Sequence, residues 1–174
     1  MTIIISTGSN LGDRIENLTR AREELEKIFI LRALSRIYKS DPVDYLQQPF
    51  FYNQMLEFDG FNCKNNIGKK FCGPQEIMQE LLKIENDLGR KRIRNEVGDV
   101  IKGPRIIDID FIFYDLLKID DPIVTLPHPR WHERNFVFLP LMELPFYKKL
   151  LENSDNITTL KNIYESAKGN ASPI

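Results

Sequence analysis

The sequence predicts an α/β protein of the α+β kind: a mixed, largely antiparallel sheet with helices packed on it. Three observations predict it. Segments with the two-residue period of strands and segments with the 3.6-residue period of helices alternate irregularly, not as repeated strand–helix units. Two strand-like runs, "TIIIST" at residues 2–7 and "IIDIDFIFY" at 106–114, are apolar enough to be buried. A chain of 174 residues, 42% hydrophobic, fits one domain and can bury about 70% of its surface on folding.

The elements follow in order. Residues 2–7 form the first strand, and "GSNLGD" turns into a helix over 14–28, with Asp13 as its N-cap and Ile15, Leu18, Leu25 and Ile28 on one side. These glycines lack the G-x-x-x-x-G-K-[ST] spacing of a P-loop, so the stretch reads as a turn. Residues 32–39 predict a second strand, "SDPVDYLQQP" a polar loop, and 51–59 a third strand. Gly73 and Pro74 open a helix in which Ile77, Leu81, Ile84 and Leu88 keep helical spacing, and Gly89 closes it. "RKRIRNEVGDVIKGPR" gathers Arg90, Lys91, Arg92, Arg94, Lys102 and Arg105 with few core residues, which predicts a mobile surface loop. A strand over 105–114 follows, then an apolar helix or strand from Phe136. The polar tail from about 152 reads as poorly packed, within a single domain of 1–174.

Composition narrows the function classes. The chain has 24 basic and 25 acidic residues, a formal charge of -1, so no general affinity for nucleic acid is expected and any anion binding must be local. "MTIIIST" lacks the basic flank and length of a signal peptide, and no apolar run reaches the roughly 18 residues of a membrane span. A cytoplasmic protein is expected, with Cys63 and Cys72 as free thiols.

The informative stretch is "GPRIIDIDFIFYD" at 103–115. On a strand Ile106, Asp108, Asp110 and Ile112 share one face, and Ile107, Ile109, Phe111 and Phe113 the other. Aspartate is disfavoured in strands and costly to bury unpaired, so these two demand compensation. Carboxylates two apart can converge on one metal ion, or on two ions roughly 3.5–4 Å apart. An edge strand with a solvated Asp face is the competing reading. His128 and His132 are four apart, but Pro129 disfavours a helix there and no H-E-x-x-H is present, which argues against zinc.

Taken together, "GPRIIDIDFIFYD", "LPHPRWHERNFVFLPL", "TGSNLGD" and "QPFFYNQ" resemble the 6-hydroxymethyl-7,8-dihydropterin pyrophosphokinases of folate biosynthesis, from residue 3 to about 145. The resemblance implies a ferredoxin-like three-layer α/β/α arrangement and transfer of pyrophosphate from ATP to the pterin hydroxymethyl group, with two Mg2+ ions. It implies Asp108 and Asp110 as metal ligands, acting with Arg92 and Arg105 as the catalytic group. It places Phe51 and Phe136 on the pterin ring, Asn53 at the pterin edge, and Ser40 and Val43 on backbone contacts to the same ring. It places Glu85, Arg90, Arg92, Arg105, His128 and Arg134 at ATP or lid positions, where cations suit the spread charge of a transferred phosphoryl group. Some relatives are fused to other folate enzymes. The chain departs from the family pattern at Ile101, where a basic residue is usual, at Pro129, and in the length between Arg92 and Gly103.

Two other readings stay open. One is a different Mg2+-dependent phosphotransferase or phosphohydrolase using the same Asp pair. A haloacid-dehalogenase-type phosphatase would place D-x-D-x-T after its first strand, and here Ile112 stands where the Thr belongs. The other is a non-catalytic nucleotide-binding module, which would not need paired carboxylates beside an Arg-rich loop.

Overall fold

The computed structural model describes residues 1–43, 45–61, 73–92, 103–153, 165, 167 and 170–174. The expectations for Cys63, Cys72 and most of the 90–102 loop lie outside the described residues.

The elements are β1 (Thr2–Ser9), α1 (Arg14–Glu26), β2 (Phe29–Leu34), β3 (Tyr38–Ser40), β4 (Phe51–Phe61), α2 (Pro74–Asp87), β5 (Asp108–Tyr114), β6 (Ile119–Asp120), β7 (Thr125–Leu126), α3 (Asn135–Leu141), α4 (Pro145–Asn153) and β8 (Ala171–Pro173). The main sheet runs β5-β1-β4-β3-β8, with β2 also on β4, and every pairing described is antiparallel. β6 and β7 form a separate ribbon.

Alternation along β1 explains the layers. Ile3 and Ile5 point to one side, where α1 supplies Leu18, Ala21 and Leu25 and α2 supplies Ile77, Leu81 and Ile84. Ile4 points to the other side and packs with Met55, Val137, Leu141 and Phe146 under α3 and α4. Covering both faces is why "TIIIST" reads as a continuous apolar run, and it produces the three-layer α/β/α arrangement. Asp13 caps α1 as expected, accepting from the Glu16 N–H at 3.0 Å. Gly89 ends the α2 region with φ +95, a conformation that favours glycine.

Four expectations need correction. The strand predicted over 32–39 is split, because Ser35 leaves the ladder: its N–H donates to Met55 O at 2.9 Å, and its hydroxyl accepts from the Met55 N–H at 3.0 Å. Gly8 and Ser9 continue β1 instead of starting a turn. Ile15, placed on the buried side of α1, is 48% exposed, and Ala21 takes the inward position. The last residues, predicted to fray, pair with β3 as β8.

Strict alternation also fails in β5. Ile5 pairs with Phe111 but Ile4 pairs with Phe113, so Ile112 is an extra residue, a β-bulge. Phe113 therefore joins Ile112 on the α3/α4 side rather than sharing a face with Phe111. There its ring lies 5.0 Å from Trp131 and 5.1 Å from Phe146, tying the segment after β7 to the sheet. Replacing this buried ring, Phe113→Ala, should cost about 3–5 kcal/mol in urea denaturation. The emission of Trp131, the single tryptophan, should shift to the red as its packing opens.

Candidate active site

The helices α3 and α4 cover only part of their face of the sheet. Ile4, Met55, Ile112 and Phe113 lie under them. Farther along the same face the side chains become Ser6 and Gly8 on β1, Asn53 and Phe51 on β4, and Asp110 and Asp108 on β5, and here a cleft of about 700 Å³ opens. Pairing puts Asp108 opposite Gly8 and Gly8 opposite Asn53, with Asp110 opposite Ser6 and Phe51 opposite Ser40. Gly8 has a steric reason to be glycine, since an added Cβ would lie 3.0 Å from Asn53 Oδ1 and 3.9 Å from Phe51.

At the acidic end, Arg105 Nη2 meets Asp108 Oδ2 at 2.7 Å, and Arg90 bridges Asp108 and Glu85. Burial pushes the Asp108 carboxyl up, but Arg105 and Arg90 outweigh it and hold it below the usual range. Burial, reinforced by the Asp108 charge, pushes Asp110 up to about 7, with Arg134 pulling the other way. Asp108 and Asp110 thus crowd negative charge that a further cation would relieve. Among the described residues no three His, Cys, Asp or Glu side chains gather as a metal cage. Two carboxylates still fit Mg2+, which commonly takes one or two and completes its octahedron with phosphate and water.

At the other end, the Asn53 amide donates to Ser40 Oγ at 2.8 Å and to Tyr38 O at 3.4 Å, which fixes its orientation. The Arg105 guanidinium lies 4.8 Å from the Phe51 ring centre, joining the two ends. Arg134 lies 5.6 Å from the Phe136 ring centre at the start of α3. Asn10, fully buried, accepts the Arg105 N–H at 2.7 Å and donates to Gln48 Oε1 and Pro49 O at 3.0 and 3.2 Å. It pins two cleft-lining segments to the end of β1.

Of the residues singled out in the sequence, Ser40, Val43, Phe51, Asn53, Arg90, Arg92, Arg105, Asp108, Asp110, His128, Arg134 and Phe136 line this one cleft. Glu85 does not line it. Fully buried, it accepts the Ile109 N–H at 2.7 Å and pairs with Arg90 and Arg92, so it holds the cations that do. The competing picture of β5 is half right: it ends the sheet, but its Asp face forms a cleft wall. Sequence reasoning missed Gly8 and Asn10. The signal for Gly8 was a glycine in line with an apolar strand, which marks a close approach.

A family model described as 7,8-dihydro-6-hydroxymethylpterin-pyrophosphokinase (HPPK) matches residues 4–145. A 2-amino-4-hydroxy-6-hydroxymethyldihydropteridine pyrophosphokinase of Aquifex aeolicus is 31% identical over 166 residues, covering 92% of this chain and 94% of that protein. The protein of the same name from Bacillus subtilis is 34% identical over 142 residues, covering 80% and 75% respectively. The folic acid synthesis protein FOL1 of Dictyostelium discoideum is 36% identical over 143 residues, 82% of this chain, yet the chain spans only 19% of that relative's length. Among solved structures, a Plasmodium falciparum HPPK-DHPS triple mutant shares the fold with a TM-score of 0.57 at 14% identity, over 94% of this chain and 43% of that one.

His128 belongs to the acidic end. Its backbone N–H donates to Ile112 O at 2.9 Å, docking it at the bulge, and its Nδ1 accepts the Arg130 backbone N–H at 3.2 Å, which leaves the ring proton on Nε2. Burial lowers its pKa to about 4, helped by the positive charges of Arg134 and Arg130. A neutral His128 contributes stability that is complete above about pH 6.5, the unfolded value, and is lost as pH falls toward about 4. In an NMR titration from pH 8 to 5 the His128 ring should stay neutral while an ordinary histidine protonates.

Proposed function

The chain belongs to the 7,8-dihydro-6-hydroxymethylpterin-pyrophosphokinase family, and on that premise we propose that it transfers pyrophosphate from ATP to 6-hydroxymethyl-7,8-dihydropterin in folate biosynthesis. The observation that carries the proposal is a single cleft joining a carboxylate pair ringed by cations to a polar, aromatic floor. A phosphotransferase acting on other acceptors would need the first half but not Phe51, Asn53 and Phe136.

In the reaction the pterin hydroxyl oxygen bonds to the β-phosphorus of ATP as the bond from that phosphorus to the α-phosphate oxygen breaks. AMP leaves and the hydroxyl proton passes to solvent water. Asn53, whose amide N–H groups go to Ser40 Oγ and Tyr38 O, presents its Oδ1 to a donor on the pterin edge, while Phe51 and Phe136 offer stacking faces and Val43 lines the same end. Arg90, Arg92, Arg105 and Arg134 take phosphate oxygens, and neutral His128 donates from Nε2. Two Mg2+ ions on Asp108 and Asp110 would supply charge neutralisation to the triphosphate. No side chain is assigned as general base; alignment of the hydroxyl with the β-phosphorus supplies the rate.

Among the described residues no helix is long and apolar enough to cross a membrane, and a cytoplasmic location is part of the proposal. So is work beside, or fused to, another folate-synthesis activity, supported by relatives such as the Pisum sativum folate synthesis bifunctional protein.

Product analysis with ATP, Mg2+ and the pterin should show AMP; ADP in its place would refute pyrophosphoryl transfer. Asp108→Ala and Asp110→Ala should each abolish turnover while the chain stays folded. Asn53→Ala leaves pterin groups unpaired at a cost of about 1–3 kcal/mol, and Phe136→Ala removes stacking and buried area of comparable worth. Calorimetry should find both variants weak for pterin and near the parent for an ATP analogue with Mg2+. Gly8→Ala, which must move the Asn53 amide, should share that pattern.

A further inference from the structure

Both oxygens of Asp108 are engaged by arginine. Arg90 Nη1 bonds to Asp108 Oδ1 and also to Glu85 Oε1, while Arg105 Nη2 takes Asp108 Oδ2 at 2.7 Å. Arg92 Nη2 takes the remaining Glu85 oxygen, Oε2. Each Asp108 oxygen thus already carries a guanidinium, and a divalent cation entering there meets two positive charges that it must displace or crowd. The same arginines line the cleft, so phosphate oxygens lie within their reach as alternative partners.

We propose that Arg90 and Arg105 are built-in counter-ions of Asp108, occupying its oxygens until Mg2+ and nucleotide arrive together and then passing to the phosphates. Glu85 is the positioning residue in this exchange: it keeps Arg90 at the cleft wall when Asp108 lets it go. Neither partner is then left as an uncompensated buried charge, which would be costly. Divalent cation alone has to displace two guanidinium groups that gain no new anionic partner in exchange, so it binds weakly. With triphosphate present those groups gain new anionic partners, so metal and nucleotide bind cooperatively. The exchange rests on the reading of Asp108 and Asp110 as metal ligands, and it adds an order of events that the ligand set alone does not contain.

The test is calorimetric titration of Mg2+ into the full chain, with and without α,β-methylene ATP, for the parent, Arg90→Lys, Arg90→Met and Asp108→Asn. Arg90→Lys keeps the positive charge beside Glu85 and Asp108, which protects the fold, but its ammonium is more strongly hydrated than a guanidinium and holds two buried carboxylate oxygens less well. Both Arg90 variants should bind Mg2+ alone about tenfold tighter than the parent, the worth of one charge-assisted hydrogen bond. Both should lose most of the cooperativity between metal and nucleotide. If Arg90→Met tightens Mg2+ binding and Arg90→Lys matches the parent, only the electrostatic field is at work and the exchange is overturned. With Mg2+ bound by the free analogue subtracted, equal coupling of metal and analogue in the parent and in both Arg90 variants overturns it as well. If Asp108→Asn binds Mg2+ with the analogue as well as the parent does, the fault lies in the metal-ligand reading itself.

Discussion

A buried carboxylate must find partners, and Glu85 is where that constraint organises the molecule. It stands at helical spacing with Ile77 and Leu81 on the inward side of α2, with no exposed surface. Burial pushes its carboxyl above the ordinary range even with Arg90 beside it, so every hydrogen bond it accepts matters. Its partners are the Ile109 N–H, Arg90 and Arg92. Through these it joins α2 to β5 and keeps cations beside Asp108. A leucine at 85 would pack, but it would leave the Ile109 N–H without this acceptor and the arginines without their anchor.

The second requirement is incomplete cover. α1 and α2 supply apolar side chains under one face of the sheet, while α3 and α4 shelter a limited patch around Ile4, Met55, Ile112 and Phe113 on the other. The rest of that face is therefore free to be polar. Strand pairing then does the assembly: residues distant in the chain, Asp108, Gly8 and Asn53, fall side by side because they are opposite one another in register. α3 contributes twice, through Val137 and Leu141 to the core and through Phe136 to the cleft.

What was legible in the sequence, and what was not, follows from the range of the interactions. The apolar face of α2, the burial of β1 and the anomaly of two aspartates in a strand are local patterns, and each appears in the structure. The division of β2 from β3 depends on Ser35 bonding across to Met55, a contact without any local signature. The bulge at Ile112 defeats simple counting, so alternation places Phe113 on the wrong face. Gly8 misleads because a glycine before Ser and Asn resembles a turn, whereas its meaning lies in the space Asn53 occupies on the next strand. Glu85 is visible as an acid on an apolar helix face, but its partners come from 90–92 and from β5. The cleft residues were gathered by family resemblance; spacing alone supported only the Asp pair.

The sheet's outer strands carry a consequence for solubility. The last strand at an open end presents unpaired backbone groups on which a foreign strand can add. On β5, the Ile109 N–H is taken by Glu85 and the Ile112 carbonyl by the His128 N–H. At the opposite end β8 covers β3, and β8 includes Pro173, which has no N–H to offer a newcomer. The Glu85 side chain and the backbone N–H of residue 128 therefore guard this edge. Losing the Glu85 carboxylate would bare the Ile109 N–H and open β5 to strand addition between copies of the chain, a cost separate from any effect on the cleft.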